Sequence, residues 1–497
     1  MVKNFAFIFI FAVNLTPDSC FMITFLVCLA LLIGAYFSYG RFLERLVKVD
    51  PSAETPCHRL YDGVDYVSLP RWRVFLIQLL NIAGTGPIFG AILGASFGPV
   101  AFLWITLGGI FMGAMHDFLS GIMLVRNDGL SIPEVVGRYL GGGMRQFMRL
   151  FSVLLLILVG AVFVLSPAQL LNSLAPSVSI PSWVWIILIY YFIATLLPID
   201  KIIGKIYPLF GVALIAMAVG LVGALLFGGW RIPELTTLHN FQLDPQSLPI
   251  FPTLCITIAC GAISGFHATQ SPLMARCVGN ERECRSVFYG AMISESIIAL
   301  IWAAAAMAFF GGAGELSTAL GQHSGSAAWV VDTVSNGMLG IVGGILALLG
   351  VVAAPITSGD TAFRSARLII ADMLHLEQRS YWKRFAICIP LFVVGYWITT
   401  VNFDIVWRYF AWTNQTLATL VLWSITVYLV RHRWNVWVAL LPAIFMTYVC
   451  ASFLFVSGQF FGMENRLLAY VLGGVLTLGT LLLMIFKLRR EYAKGNA

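Results

Sequence analysis

Thr257-Ile-Ala-Cys260-Gly-Ala-Ile-Ser264-Gly-Phe-His267-Ala-Thr269-Gln270-Ser271-Pro272 lies inside an apolar run near residues 250–277, long enough to cross a bilayer. A plain membrane helix has no use for that much glycine, hydroxyl, amide and imidazole at its middle. Glycine and proline there release backbone N–H and C=O groups, which is tolerable only where the unwound stretch is buried in protein or lines a cavity. A second stretch reads the same way: Gln78-Leu-Leu-Asn81-Ile-Ala83-Gly84-Thr85-Gly86-Pro87, in the run near 72–96. Ordinary proline kinks are the plainer alternative. The spacing argues against them, because the second broken run is the fifth after the first. Five is odd, so a five-helix unit repeated once emerges upside down in the membrane, and paired interruptions in two inverted halves point to a transporter site at the midplane.

The whole composition agrees. Of 497 residues 59% are hydrophobic and 11% charged, with a mean hydropathy of +0.89. Ordinary globular domains carry about 25% charged residues. So few charges cannot coat a water-soluble body of this size, whereas a bilayer accepts apolar side chains outside as well. A soluble enzyme, a disordered scaffold and a nucleic-acid binder are excluded. The nine cysteines include no Cys-x-x-Cys pair and read as thiols, without a disulfide framework or zinc site.

Apolar runs place a leading span near 20–43 and twelve more near 72–96, 99–125, 148–171, 182–199, 204–229, 250–277, 286–311, 328–357, 384–401, 405–430, 434–456 and 466–487. Loops around 41–73, 126–149, 201–205, 276–285, 364–384, 431–433 and 487–494 hold 26 of the 30 lysines and arginines; Lys3, Arg231, Arg408 and Arg466 are the rest. That alternation marks the basic set as cytoplasmic and places the C-terminus there. The expected division is an N-terminal extension over 1–21, which reads equally as a signal-like core or a partial span, a leading helix and loop over 22–71, a first repeat over 72–229, an inverted second repeat over 250–430, and two trailing helices with a tail over 434–497.

Ionisable residues inside spans are costly and mark function by default. His116-Asp117 lies in the second span; adjacent residues point to different faces, so each is expected to need its own partner, and His116 is the better proton-handling candidate because imidazole titrates near neutrality, with a structural histidine bonded to a neighbouring backbone carbonyl as the equal alternative. Glu295 in the seventh span suits a proton carrier, with a neutral acid bonded to a helix neighbour as the plain reading. Asp360 in the run Thr357-Ser358-Gly-Asp360 could neutralise a cation, carry a proton or pair with Arg364 one turn on. His267, Thr269 and Gln270 in the second break, with Asn81, Thr85 and Gly86 in the first, are the substrate candidates; Asn414 (with Gln415) and Gln169 could complete the lining, or serve as interhelical contacts as amides in spans also do. Arg408 follows Asp404 by four residues and is read as a helix-surface pair or an outer gate.

The broken helices in inverted repeats resemble LeuT-like transporters, giving the expected fold class: an all-α polytopic membrane protein with a LeuT-like 5+5 inverted repeat, one leading and two trailing helices, about 13 in all. In such transporters a sodium ion often sits between the unwound first helix and paired hydroxyls on the eighth. Thr357 and Ser358 occupy a comparable place, with the carbonyls around Ala83 and Gly84 as further oxygen ligands; hydroxyls bonding their own preceding turn are the plain alternative.

Four longer stretches are similar to the carbon starvation protein A family: Asn81-Ile-Ala-Gly-Thr-Gly-Pro-Ile with the downstream Gly-Ala-Met-His116-Asp117-Phe, the run 257–272, Thr357-Ser-Gly-Asp-Thr-Ala-Phe-Arg-Ser-Ala-Arg367, and Trp412-Thr-Asn-Gln-Thr-Leu-Ala. The resemblance implies a bacterial inner-membrane carrier, induced when carbon runs short, that imports peptides or pyruvate with a coupling cation, H+ or Na+. Relative to the long members the chain lacks extra C-terminal spans and adds residues 1–21, which leaves peptide or pyruvate open. The expected partners are the bilayer and a small-molecule or peptide substrate, with no nucleic acid. No cofactor is expected beyond Na+ as a coupling ion, and no catalytic or metal-ligating residue. No Gly-x-x-x-x-Gly-Lys-[Ser/Thr] motif is present, so coupling is expected from an ion gradient. A channel and a membrane-embedded metalloenzyme built from His116, Asp117 and His267 are the rival readings.

Overall fold

The computed structural model describes residues 22–63, 65–196, 199–376 and 381–494, and every regular element among them is helical. The N-terminal extension 1–21 and Arg379 lie outside the described residues. Helix α1 spans Ile23–Phe37. The first interrupted run becomes two half-helices, α2 (Arg71–Ile82) and α3 (Gly86–Ala95), bent by 49°. Ala83 leaves the helical region (φ −84, ψ 58), and Pro87 opens α3 at a position where no N–H is needed. Helix α4 (Val100–Arg126) holds a π-helical stretch, Trp104–Ala114, just before His116-Asp117; such irregularities concentrate at functional sites. The short α5 (Ile132–Leu140) turns Val135 and Val136 inward, and α6 (Gly142–Leu174), α7 (Ile180–Leu196) and α8 (Ile199–Phe227) complete the first half.

The second interrupted run gives α9, over 250–257, and α10 (Gly265–Ala275), separated by a stretch in which Ser264 is extended (φ −144, ψ 126). Gly265 is required by close approach: a Cβ there would stand 2.5 Å from the backbone oxygen of Asn414. Helices α11 (Glu281–Phe310), α12 (Ala313–Gln322), α13 (Ala327–Leu346), α14 (Ala353–Met373), α15 (Tyr381–Thr399), α16 (Phe403–Arg431), α17 (Trp437–Val456) and α18 (Arg466–Lys494) follow. Among the described residues eight helices are long and apolar enough to cross a membrane, and the bent pair α2–α3 makes a ninth.

One boundary is corrected. The sequence ends the eighth span at 357 and puts Arg364 and Arg367 in the loop beyond. In the structure the chain kinks at Gly340 (φ 59, ψ −147), and the helix bearing Thr357 and Ser358 continues through α14 to Met373. Both hydroxyls therefore sit in mid-helix, and both arginines are buried within it. A hydropathy reading stops at the first charges; here Arg364 is made tolerable by Asp360 Oδ2 at 3.5 Å and the Ala194 carbonyl at 3.0 Å.

Helix α10 packs on α2, α4 and α16, α11 on α3, and α6 along α14, so both breaks lie at the centre. Outward-facing Val219, Ile341, Val393, Leu478 and Leu483 are exposed apolar side chains, as a bilayer permits. The basic loops meet on one face. Arg126 clamps Glu281 with bonds of 2.9 and 3.0 Å and donates to Tyr428 and to the Val47 carbonyl; Arg285 meets Glu44 at 3.1 Å, Arg149 meets Glu134 at 2.5 Å and Arg431 meets Glu491 at 2.7 Å.

Candidate functional site

Each break exposes groups that a continuous helix would satisfy internally. At the second, the side chain of Asn414 on α16 takes over: its Oδ1 accepts from the Phe266 N–H at 2.7 Å and from the Ser264 hydroxyl at 3.1 Å, capping α10 from another helix. At the first, the Leu80 carbonyl accepts from Ser358 Oγ at 2.8 Å, and Ser166 Oγ donates to Thr85 Oγ1 at 3.3 Å. Phe163 lies against Gly84 and packs edge-on against Phe266, filling the space between the breaks.

With α10 so held, His267 sits in its first turn at the centre of a wholly buried polar chain. His267 Nδ1 is 2.8 Å from Asp117 Oδ2, and the other oxygen of Asp117 is 2.8 Å from His116 Nδ1. On the far side of the ring, Nε2 is 3.2 Å from Glu295 Oε2, without hydrogen-bonding alignment. The expectation of separate partners for His116 and Asp117 is corrected: the neighbours bond each other, because each oxygen of the Asp117 carboxylate takes one imidazole. Asp117, rather than His116, is the hub. His267, with Thr269 and Gln270, lies in α10 just after the break rather than within it, and from there its ring reaches Glu295 on α11. Two carboxylates flanking one buried imidazole can hold and pass a proton, and uncompensated charge at this depth would be prohibitive.

The remaining sequence candidates divide. Asn81 is buried with both side-chain polar atoms unpartnered, and Gln270 keeps an unpartnered Oε1 while its Nε2 donates to Thr269 Oγ1 at 3.0 Å. Buried amides left this way are costly unless something else meets them. Gly86 lies against Cys260, bringing the two breaks into direct contact. Thr269 bonds its own helix, donating to the Phe266 carbonyl at 2.6 Å. Thr357 donates to the Ala354 carbonyl at 2.7 Å, and Ser358 bonds both its own helix and α2. Asp360 stands beside Arg364, its Oδ2 3.5 Å from the guanidinium. The Asp404–Arg408 ion pair is not formed among the described residues: Arg408 reaches Gln459 Oε1 at 3.2 Å instead, drawn to the turn after α17. Gln415 donates to the Cys255 carbonyl and so braces α9.

Sequence reasoning missed Cys260, Gln78, Ser271 and Tyr191. Gln78 Nε2 donates to Ser271 Oγ at 3.2 Å, tying the two broken helices. Tyr191 donates towards the Phe163 and Pro355 carbonyls, at 3.1 and 3.4 Å. Gln78 and Ser271 stand within the quoted runs; Tyr191 carries no signal in an otherwise apolar helix.

Two cavities flank this centre. One, of about 350 Å³, opens on the side away from the basic loops, lined by Leu93, Thr257, Asp404, Trp407 and Arg408. The other, of about 160 Å³, lies toward the basic loops, lined by Thr269, Ser365, Arg276 and Asp372. Phe89 packs tilted against Trp407, and Trp407 and Phe163 each meet Phe410 edge-on, linking the first cavity to Phe163.

The family described as carbon starvation protein CstA matches residues 20–182 and 177–337. A membrane protein of Haemophilus influenzae is 42% identical over 340 residues, 58% of this chain and 91% of that one. The peptide transporter CstA of Escherichia coli is 27% identical over 338 residues, covering 55% of this chain and 48% of its own length. The pyruvate/proton symporter BtsT of the same organism is 26% identical over 333 residues, covering 54% and 46%. The aligned region thus spans about half of these two named relatives. In fold, the chain is similar to the manganese transporter of Eremococcus coleocola (TM-score 0.53, 15% identity, 87% of this chain and 99% of that one) and to MhsT in complex with L-phenylalanine (TM-score 0.53, 15% identity, 83% and 98%). The fold is accordingly LeuT-like.

Proposed function

The chain belongs to the carbon starvation protein CstA family, and from that premise we propose that it is a secondary active transporter of the bacterial inner membrane importing a small carboxylate-bearing solute, a short peptide or pyruvate, with protons. The observation that carries this reading is His267: it stands at the start of a half-helix, between Asp117 and Glu295, beside the contact of the two breaks. Substrate binding at the breaks would then shift the same helices that hold the proton site. The N-terminus of α10 offers a positive dipole end for a carboxylate, and Asn81 and Gln270 offer amide groups for the rest of the solute. Alternating access would open first the cavity at Trp407 and then the one at Ser365. Sodium coupling is a second reading, favoured by one observation: Ser358 Oγ meets the Leu80 carbonyl of the broken helix.

The test is uptake of labelled pyruvate and a labelled dipeptide into proteoliposomes under proton and sodium gradients imposed separately. Accumulation of either solute under the proton gradient alone is the expected result. Accumulation only under sodium would replace His267 by Ser358 as the coupling site, and no uptake of either solute would refute the proposed cargo.

A further inference from the structure

Cys260, His267 and Glu295 come from three separate elements, the linker between α9 and α10, α10 itself and α11, yet one ligand atom from each lies within 4.8 Å of the others, all fully buried. We propose that these three residues form a binding site for a zinc-class divalent transition-metal ion at the junction of the two breaks, distinct from the substrate and able to lock the carrier.

Three features support it. The donors are suitable: a thiolate and an imidazole prefer zinc-like ions to magnesium, calcium or manganese, and the carboxylate completes a three-ligand set with a fourth position open. The ring is oriented as a ligand, because Asp117 holds His267 Nδ1 at 2.8 Å and turns Nε2 towards Glu295. A carboxylate behind a ligating histidine is the usual outer support of such sites. The atoms are also waiting: His267 Nε2 and both oxygens of Glu295 lack hydrogen-bond partners although buried. His267 Nε2 and Glu295 Oε2, 3.2 Å apart, already suit bonds of about 2.0–2.2 Å to one ion, so the approach required is that of Cys260 Sγ, by roughly 1 Å. The linker bearing Cys260 would supply that by loosening the thiol's hydrogen bonds, 3.7 Å with Ser264 Oγ and 3.5 Å from Asn414 Nδ2, while Gly86 stays packed against it.

Within the three-ligand set a dication, a thiolate and a carboxylate sum to zero around a neutral imidazole, and the Asp117 carboxylate behind the ring keeps the charge it has without the ion. The thiol proton leaves to solvent on binding, with a second from the ring wherever His267 bridges the two acids as imidazolium. Because Cys260 also touches Gly86 of α3, the ion would pin both broken helices and α11 together.

The test uses the purified full chain in detergent, with no gradient or substrate present, so its outcome is separate from that of the transport proposal. Cobalt(II) should bind one per chain with a thiolate-to-metal charge-transfer absorption, and zinc should displace it. Cys260→Ser should abolish that absorption and weaken zinc binding at least ten-fold. Asp117→Asn should keep the absorption and weaken zinc binding about 10–100-fold. In the wild-type chain, zinc should slow alkylation of Cys260, a readout independent of how any variant folds. An unchanged alkylation rate, or the same cobalt spectrum in Cys260→Ser, would overturn the proposal.

Discussion

Gly86 is where the two breaks touch, and its replacement by alanine has a geometry that can be worked out. A Cβ at this position would lie 2.4 Å from both Cβ and Sγ of Cys260, whereas ordinary contacts fall at 3.4–4 Å. One broken helix would have to retreat from the other by about 1 Å, and overpacking of this kind in a close-packed interior costs roughly 1–3 kcal/mol. Gly86→Ala should therefore lower the melting temperature in detergent and slow uptake together, because the displaced segments carry both Asn81 and His267. The clash is with one side chain only: once Cys260 is also replaced by glycine, the nearest remaining Cys260 atom is its Cα, at an unstrained 3.8 Å. Against Cys260→Gly as reference, adding Gly86→Ala should cost little, and the thermal-melt double-mutant cycle should show a favourable coupling of about 0.5–3 kcal/mol. A Gly86→Ala chain as stable and active as wild type, or a cycle with no coupling, would refute the contact of the breaks.

Other consequences follow from the same geometry. Asn414→Ala removes the acceptor for the Phe266 N–H and the Ser264 hydroxyl and should destabilise by about 1–3 kcal/mol, with uptake falling because α10 loses its cap; thermal melts and uptake check it, and unchanged values would show that water caps the helix instead. Asn81→Leu replaces an amide with no partner for either polar atom. It should leave stability unchanged or raised while increasing KM at least ten-fold, about 1.4 kcal/mol of lost substrate interaction; an unchanged KM would remove Asn81 from the substrate site. Arg126→Met strips Glu281 of its two-bonded partner at the basic face and should cost on the order of 2–3 kcal/mol, read as a lower melting temperature.

Much of this architecture is legible in the chain because membrane physics leaves few options. Gly84, Gly86 and Pro87 mark the first break and Gly261 and Gly265 the second, and the charge alternation arranges the loops that the structure joins through Arg126–Glu281 and Arg431–Glu491. The register of the helix holding Thr357 and Ser358 was not legible, since hydropathy cannot distinguish an apolar stretch before the Gly340 kink from the helix beyond it, nor foresee that Asp360 and the Ala194 carbonyl make Arg364 tolerable inside. His116, Asp117, His267 and Glu295 each stand out as ionisable residues in apolar runs. Their assembly does not, because 150 residues separate Asp117 from His267. Cys260 reads in sequence as one more buried thiol; only its approach to His267 and Glu295 gives it chemistry. Asn414 shows the converse, a polar residue in a span that holds backbone in place.

The central claim is that the coupling proton is shared between His267 and Glu295. The most direct measurement compares wild type with Glu295→Gln, a substitution of nearly the same shape, in proteoliposomes loaded with unlabelled solute and then subjected to a proton gradient. If the claim holds, Glu295→Gln exchanges labelled for unlabelled solute at a rate near wild type but no longer accumulates it when the gradient is applied. Accumulation equal to wild type would contradict it.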